Sequence, residues 1–210
     1  MKKIAITAIC ILCTAVTVTF LYAQTQTNSS RVLIVYFSQQ SSGLNDATTS
    51  ASRIAVDGNH IGHVQHIASI IQRTTGGDLF EIQTVQTYPF EHRQLLDFAR
   101  QEQRENARPR LSARIPNIQN YDTIFLGYPN WWADMPMPVY TFLEEYSLSG
   151  KTVVPFCLNG GSGISGTVDR IIRLQPQANI VRDALVFNRN NLARAESDVT
   201  AWLRRIGMGR

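Results

Sequence analysis

The chain has 210 residues, of which 44% are hydrophobic and 17% charged, and its formal net charge is +4. This length suits one domain that buries a hydrophobic core of its own. The net positive charge is too small for the basic surface of a nucleic-acid-binding protein, so the composition excludes nucleic acid as a partner.

Residues 1–23 have the order of a secretory signal peptide. Lys2 and Lys3 precede an apolar stretch at 4–22, and Ala23 is a small residue after which cleavage is expected. We therefore expect a protein that is exported to the periplasm, the cell surface or the medium. Loss of the two leader lysines would lower the net charge from +4 to +2.

The same leader would act as a membrane anchor if it were retained. Leu21 is bulky for a cleavage site, and the apolar stretch at 4–22 is long enough to cross a bilayer. Contact with a membrane is expected only in that case. We assign 24–30 to a polar N-terminal segment and 31–210 to a single domain.

The domain is predicted to begin with a strand, a loop and a helix. "RVLIVYFS", at 31–38, is nearly continuous in β-branched and aromatic residues, which is typical of a strand buried on both faces. The segment 39–60 is rich in Ser, Thr, Asp and Gly, so we expect a long irregular loop. Residues 61–77 then place apolar side chains at helical spacing and end in two glycines.

The alternation of strands and helices continues to the end of the chain. Further strands are predicted at 78–83, 121–129, 152–157 and 178–187, and further helices at 90–106, 137–148, 167–174 and 192–207. Alternating strands and helices require right-handed crossovers and a parallel sheet. The sequence therefore predicts an α/β three-layer sandwich.

Three loops that follow predicted strands are the candidate binding site, because such sheets bind ligands beyond the carboxyl ends of their strands. The first loop leads from Ser38 to a helix start near Gly62, where free amides favour an anion. The second offers Trp131 and Trp132. The third, 159–163, is rich in glycine and lets backbone approach a flat ligand. Taken alone, the first loop could be an ordinary polar surface loop, and the glycines of the third could serve only tight turns. Together the three loops suit a phosphate attached to a planar heterocycle.

Four segments add a more specific pattern: "YFS" after the first strand, "GYPNWWADMPMPVYTFLEEY", "SGKTVVPFC" and "NGGSG". In order and spacing they resemble the flavodoxin family, and within it the bacterial group with a long first loop and a Tyr-Pro-Asn-Trp-Trp loop. The likeness spans residues 31–207. It implies a flavodoxin-like five-stranded parallel sheet of order 2-1-3-4-5, noncovalently bound FMN, and transfer of one or two electrons.

The resemblance also implies the residues that contact FMN. The phosphate group would lie between the end of the first strand and the start of the first helix, at Ser38, Gln39, Gly62, His63 and Val64. The isoalloxazine ring would be lined by the second loop and, at its other edge, by the third: Pro129, Asn130, Trp131 and Trp132, then Asn159, Gly160, Gly161, Ser162 and Gly163. Adjacent loop residues seldom point the same way, so we expect one tryptophan to face the ligand and the other to pack on the sheet.

Two positions depart from the family pattern, and both lose a hydroxyl. Relatives open the first helix with Gly-Asn-Thr, where this chain has Gly62, His63 and Val64, and they have threonine where this chain has Leu158. Aligning 58–60 instead keeps the Gly-Asn pair but displaces the helix. If it is protonated, His63 would supply a charge-assisted donor in place of the lost hydroxyl.

Neither a metal site nor a catalytic residue is predicted. His60, His63 and His66 recur every third residue, but on a helix this spacing turns the first and third away from a common ion, and no acidic residue is near. Cys157 ends a predicted buried strand and is expected to pack as a small hydrophobic residue.

The functional expectation is an electron carrier that works with a redox partner protein or a small electron acceptor. Two alternatives remain open at this point. One is an FMN-dependent NAD(P)H:quinone-type reductase, so enzyme activity is not decided. The other is a flavodoxin-fold binding or scaffold protein that has lost FMN, which the missing hydroxyls would favour.

Overall fold

A computed structural model describes residues 31–40, 53–56 and 58–209. The predicted signal peptide and the polar segment at 24–30 lie outside the described residues. Within the described ranges, no helix is long and apolar enough to cross a membrane.

The described chain contains eight strands and five α-helices. The strands are β1 (Val32–Tyr36), β2 (Arg53–Val56), β3 (Asn59–Gly62), β4 (Asp78–Glu81), β5 (Thr123–Pro129), β6 (Thr152–Asn159), β7 (Asn179–Ile180) and β8 (Leu185–Asn188). The helices are α1 (His63–Thr75), α2 (His92–Glu105), α3 (Met137–Glu145), α4 (Thr167–Leu174) and α5 (Ala195–Arg205), with short 3-10 turns at Ile118–Asn120 and Arg189–Arg194.

The central sheet runs β4-β1-β5-β6, with β7 and β8 both paired to β6, and every pairing is parallel. This confirms the predicted order 2-1-3-4-5, with the fifth place shared by two short strands. The predicted strand at 178–187 is broken because Asp183 turns toward α5. Its carboxylate binds Arg205 at 2.8 and 2.9 Å, and its carbonyl oxygen accepts a hydrogen bond from the indole of Trp202.

The core lies on both faces of the sheet, which explains why the strands are continuously apolar. In β1, Leu33 and Val35 pack toward the layer of α2, α3 and α4, whereas Ile34 and Tyr36 pack toward the layer of α1 and α5. These two layers and the sheet form the predicted three-layer sandwich.

The loop after β1 is more regular than the sequence predicted. Residues 53–56 and 59–62 form an antiparallel hairpin of β2 and β3, in which Val56 pairs with Asn59, and Gly58 takes a φ of 80°. The prediction of an irregular loop is therefore wrong for this part. The missed signal is Asp-Gly at 57–58 between two short apolar stretches, a preferred two-residue hairpin turn. The serine- and threonine-rich residues 41–52 lie outside the described part.

Candidate functional site

The carboxyl ends of β1, β5 and β6 meet at one edge of the sheet because these strands are parallel neighbours. The three predicted loops leave from this edge, and α1 begins beside it. Two ends of the candidate site can be distinguished: the anion end, at Ser38 and the start of α1, and the ring end, at 129–134 and 159–163.

At the anion end, Ser38 lies directly against the first turn of α1. Its Oγ accepts a hydrogen bond from the backbone amide of Gln65 at 3.3 Å. A Cβ placed on Gly62 would lie 2.1 Å from the same Oγ, so only glycine allows this close approach. The other first-turn amides of an α-helix have no carbonyl partner within the helix, which leaves donors for an anion.

Gly62 precedes α1 directly, as the alignment through Gly62, His63 and Val64 requires. The alternative alignment through 58–60 falls in the β2–β3 hairpin, away from the helix start. Val64 is 1% exposed and packs in the core, so only its backbone amide is available to a ligand.

His63 is buried, and its Nδ1 has no hydrogen-bond partner among the described residues. Burial, followed by the nearby charges of Arg189 and His66, lowers the pKa of His63 to about 4. The imidazole is therefore neutral near pH 7. The protonated His63 that would replace the lost hydroxyl is not the form present at neutral pH.

Gln39 connects the end of β1 to a neighbouring cavity. Its Nε2 donates to the Gln40 carbonyl at 3.0 Å, and the Gln40 amide in turn donates to the His60 carbonyl at 3.2 Å, which ties this loop to the hairpin. A cavity of about 220 Å³ opens between the ends of β1 and β4, and Ser38, Gln39 and Glu81 are among its lining residues. The cavity adjoins the anion end at Ser38 and reaches Phe37 and Tyr88, the two rings that pack on Trp131.

The two tryptophans of the ring end point in different directions. Trp131 and Asp134 exchange two backbone hydrogen bonds around a tight turn, and the turn residues Trp132 and Ala133 have φ angles of 52° and 62°. These left-handed angles are costly for residues other than glycine. The chain reverses direction across 131–134, and the two indoles at the start of this turn have different neighbours.

Trp131 is a core residue. It is 3% exposed and meets the rings of Phe37 and Tyr88 at centroid distances of 5.4 and 5.9 Å. Its indole nitrogen is buried and has no hydrogen-bond partner within the described residues.

Trp132 is half-buried and lies on α2. Its indole donates to the Leu96 carbonyl at 3.3 Å, and the Arg100 guanidinium lies 4.5 Å from the ring centroid. Of the two tryptophans, Trp132 is therefore the one that keeps surface for a ligand.

Asparagine side chains hold the two loops of the ring end together. Asn130 donates to the Gly163 carbonyl at 2.7 Å and to the Ser165 hydroxyl at 2.8 Å. The Asn159 side-chain oxygen accepts from the amides of Gly161 and Gly163, whose φ angles of 137° and 65° favour glycine.

The remaining predicted ring-end positions divide between the sheet and the surface. Pro129 is buried and pairs with Leu158 across β5 and β6, and Leu158 is itself in the core. Gly160 is half-buried, whereas Gly161 and Ser162 are exposed. The accessible ring-end surface is thus formed by Trp132 and the glycine loop.

Sequence analysis missed Arg189, which directly follows β8. It is only 9% exposed, and its Nη1 has no hydrogen-bond partner among the described residues. The rule that residues after strand ends are informative applies here too, because β8 ends beside β6, with Asn159 opposite Asn188. That rule was used for three loops and not for the last one.

The described ranges offer neither a metal-binding cluster nor an accessible thiol. No group of three or more His, Cys, Asp or Glu side chains in the described ranges is placed to hold a metal ion. Cys157 is fully buried, and burial raises the pKa of its thiol well above the usual range.

Comparisons with known proteins give one family and a set of similar folds. The family model described as Flavodoxin matches residues 54–206. A comparison with curated proteins gives no match.

Three solved structures illustrate the similarity in fold. A candidate flavoprotein from Bacteroides eggerthii DSM 20697 is 28% identical, with a TM-score of 0.63, over 85% of this chain and 98% of that chain. A candidate flavoprotein from Bacteroides uniformis ATCC 8492 is 23% identical, with a TM-score of 0.64, over 83% and 98% of the two chains. A flavoprotein from Lactobacillus acidophilus NCFM, solved in complex with FMN, is 18% identical, with a TM-score of 0.54, over 82% and 98%.

Proposed function

The chain belongs to the flavodoxin family, and from this membership we propose that it binds FMN and carries electrons. We propose further, from its leader, that the protein is exported. A flavoprotein of the same fold was solved with FMN. The proposal rests above all on one feature of this chain, the contact of Ser38 with the first turn of α1.

That contact fits the phosphate group of FMN. The Ser38 hydroxyl oxygen lies 3.3 Å from the Gln65 amide, at a helix start that Gly62 keeps open. Helix amino termini at the carboxyl edge of a parallel sheet are preferred sites for phosphate groups. The buried Nδ1 of His63, the first residue of α1, has no partner among the described residues and adds a polar atom at this end.

The ring end fits a planar group along its accessible surface. Trp132 and the exposed residues Gly161 and Ser162 lie on two loops that Asn130 joins. Because these loops are held by their own hydrogen bonds, they would keep the isoalloxazine ring in one position without reorganising.

When bound, FMN supplies the one- or two-electron chemistry, and the protein supplies binding and orientation. The helix start and its donors hold the phosphate group, which fixes the position of the ring relative to 129–132 and 159–163. The buried strands beneath this edge exclude water from the inner side of the site.

The test is direct binding of FMN by the purified protein. We expect visible flavin absorbance on purification, or uptake of added FMN by the apoprotein at micromolar concentration with quenching of flavin fluorescence. A colourless protein that takes up no FMN under these conditions would contradict the proposal and favour a flavodoxin-fold scaffold instead.

Electron carriage is proposed together with a redox partner, either a protein or a small acceptor such as a quinone. Reduced protein should be reoxidised by the acceptor, whereas NAD(P)H alone should not sustain turnover. Steady NADPH consumption in the presence of a quinone would instead identify a reductase.

Export is proposed from the leader at 1–23, which the described structure does not include. Fractionation of the source cells, with the amino terminus of the extracted protein sequenced, would test it. A mature chain that begins near residue 24 is expected. A full-length chain found only inside the cell would contradict export.

A further inference from the structure

We propose that Arg189, from the turn after the last strand, binds the phosphate group of FMN in place of the hydroxyl lost at Val64. This inference rests on the proposed FMN binding. It assigns to the anion end a positive charge that comes from outside the first loop.

The fold brings Arg189 to the start of α1. Asn188 pairs with Asn159 at the carboxyl edge of the sheet, so the turn Arg189–Arg194 begins at the edge where α1 also begins. Further along, Glu196 binds Arg73 of α1 at 2.6 Å. The helix that follows this turn is therefore joined to α1.

Electrostatics agree with this placement. Burial has the largest effect in lowering the pKa of His63, the first residue of α1. The positive charge of Arg189 has the next largest effect. Arg189 is thus the positive charge that acts most strongly on the first residue of α1. Neither the His63 Nδ1 nor the Arg189 Nη1 has a hydrogen-bond partner among the described residues.

A buried guanidinium without a partner is unfavourable, because it loses hydration without gaining an anion. Exposed arginines of the same region are paired: Arg194 lies 3.6 Å from Asp198, and Arg205 lies 2.8 Å from Asp183. Arg189, at 9% exposure, has no ion pair with any described carboxylate. A phosphate dianion at the start of α1 would supply the missing charge.

The same arrangement compensates for the change at Val64. A threonine hydroxyl would give one neutral hydrogen bond, whereas a guanidinium gives charge-assisted bonds, which are shorter and stronger. Neutral His63 adds a further ring nitrogen within the same pocket. The anion end of this chain is therefore charged where its family pattern is built on hydroxyls and amides.

The experiment compares FMN with riboflavin, which has the same ring and no phosphate. Apoprotein of the wild type and of Arg189→Met is titrated with each flavin, and fluorescence quenching gives the dissociation constants. We expect Arg189→Met to weaken FMN binding about tenfold to a hundredfold, with riboflavin affinity unchanged within about threefold. Arg189→Lys should recover part of the loss.

A matched control lies in the same turn. Arg194 is exposed and paired with Asp198, so Arg194→Met should leave both dissociation constants unchanged. Equal weakening of FMN and riboflavin by Arg189→Met would overturn the inference, because a role in folding or in ring binding would produce that result. Unchanged FMN binding would overturn it as well.

Thermal unfolding separates a ligand-binding role from an internal ion pair. If Arg189 awaits an external anion, Arg189→Met apoprotein should unfold at the same temperature as the wild type or higher, while the stabilisation gained from FMN should shrink. If an acidic side chain outside the described residues pairs with Arg189, the variant apoprotein should instead lose stability, and the inference would fail.

The two proposals fail in different ways. Wild-type protein that binds neither flavin would contradict FMN binding and Arg189's role together. Wild-type protein that binds FMN tightly, with a ratio of FMN to riboflavin affinity that Arg189→Met does not change, would contradict only the role of Arg189.

Discussion

The two ends of the candidate site differ in the charge of the buried polar atoms that have no hydrogen-bond partner among the described residues. At the ring end, Asn130 and Asn159 use their side chains to bind neighbouring backbone and hydroxyl groups. The buried atoms without a partner at this end, Asn130 Oδ1 and Trp131 Nε1, belong to neutral groups, whereas Arg189, assigned to the anion end, has an unpartnered Nη1 on a positively charged guanidinium.

This difference separates two contributions to binding. A ring end whose loops are fixed by internal bonds provides shape, and it should treat FMN and riboflavin alike. An anion end with unpaired donors provides charge recognition, and it should act only on a ligand that carries phosphate. The ratio of FMN to riboflavin affinity therefore reports on the anion end, and riboflavin affinity alone reports on the ring end.

The largest expected effect is on stability, at Trp131. Trp131→Ala removes a core indole packed on Phe37 and Tyr88, so we expect a loss of about 3–5 kcal/mol in the free energy of unfolding. Chemical denaturation of the apoprotein measures it.

Trp132→Ala is the matched control for that variant. It removes one hydrogen bond and a stacked guanidinium from a half-buried ring, and we expect a loss of about 1 kcal/mol. It should also weaken FMN and riboflavin equally. If the two variants lost similar stability, the assignment of Trp131 to the core would be wrong.

The second effect is a pH dependence of stability that comes from His63. Its pKa in the folded protein is about 4, below the usual 6.5, so the unfolded chain binds the proton more readily. Stability should therefore be complete above about pH 6.5 and should fall as the pH decreases toward 4, by up to about 3 kcal/mol from this group.

His63→Gln serves to isolate that contribution, since it keeps a polar side chain that does not titrate. The difference between the unfolding free energies of wild type and variant should shrink from pH 7 to pH 4. A difference that stays constant across this range would show that His63 is not buried as the structure places it.

Much of the fold was predictable because it depends on patterns within short segments. The buried strands at 32–36 and 123–129 are continuous apolar runs, and α1 is bounded by glycines at both ends. The hairpin at 53–62 was missed because its polar residues obscured an Asp-Gly turn signal. Local sequence thus fixes the order of the elements and therefore the edge at which the site lies.

The site itself was only partly predictable, because its details depend on contacts between distant segments. A hydroxyl after β1 indicated the position of Ser38 beside the helix. The directions of Trp131 and Trp132 depend on left-handed angles in a loop that has no periodicity to reveal them. The position of Arg189 after the last strand was visible in the sequence, but its burial was not, because burial depends on the packing of distant segments.

The third effect tests the internal bonding of the ring end. Asn159→Ala removes the acceptor of the Gly161 and Gly163 amides and a donor to the Phe187 carbonyl. We expect a loss of about 2 kcal/mol in unfolding free energy and a similar weakening of FMN binding and riboflavin binding.

Asn190→Ala, which changes an exposed asparagine in the turn after β8, is the control and should change neither the stability nor the two affinities. A selective loss of FMN affinity in Asn159→Ala would place Asn159 at the anion end instead.

The smallest effect concerns the hydrogen bond between Ser38 and the Gln65 amide at the anion end. Ser38→Ala removes the acceptor of the Gln65 amide in the first turn of α1, so the free energy of unfolding should fall by about 1 kcal/mol.

The same variant should weaken FMN binding by about tenfold or less and leave the affinity for riboflavin unchanged, since one neutral hydroxyl is lost from the phosphate site. Ser69→Ala is the control, because the Ser69 hydroxyl donates to the Gln65 carbonyl one turn further along α1 and does not touch Ser38. Ser38→Ala should weaken FMN less than Arg189→Met does. If the order were reversed, the hydroxyl and not the guanidinium would dominate phosphate binding, and the anion end would resemble that of other family members.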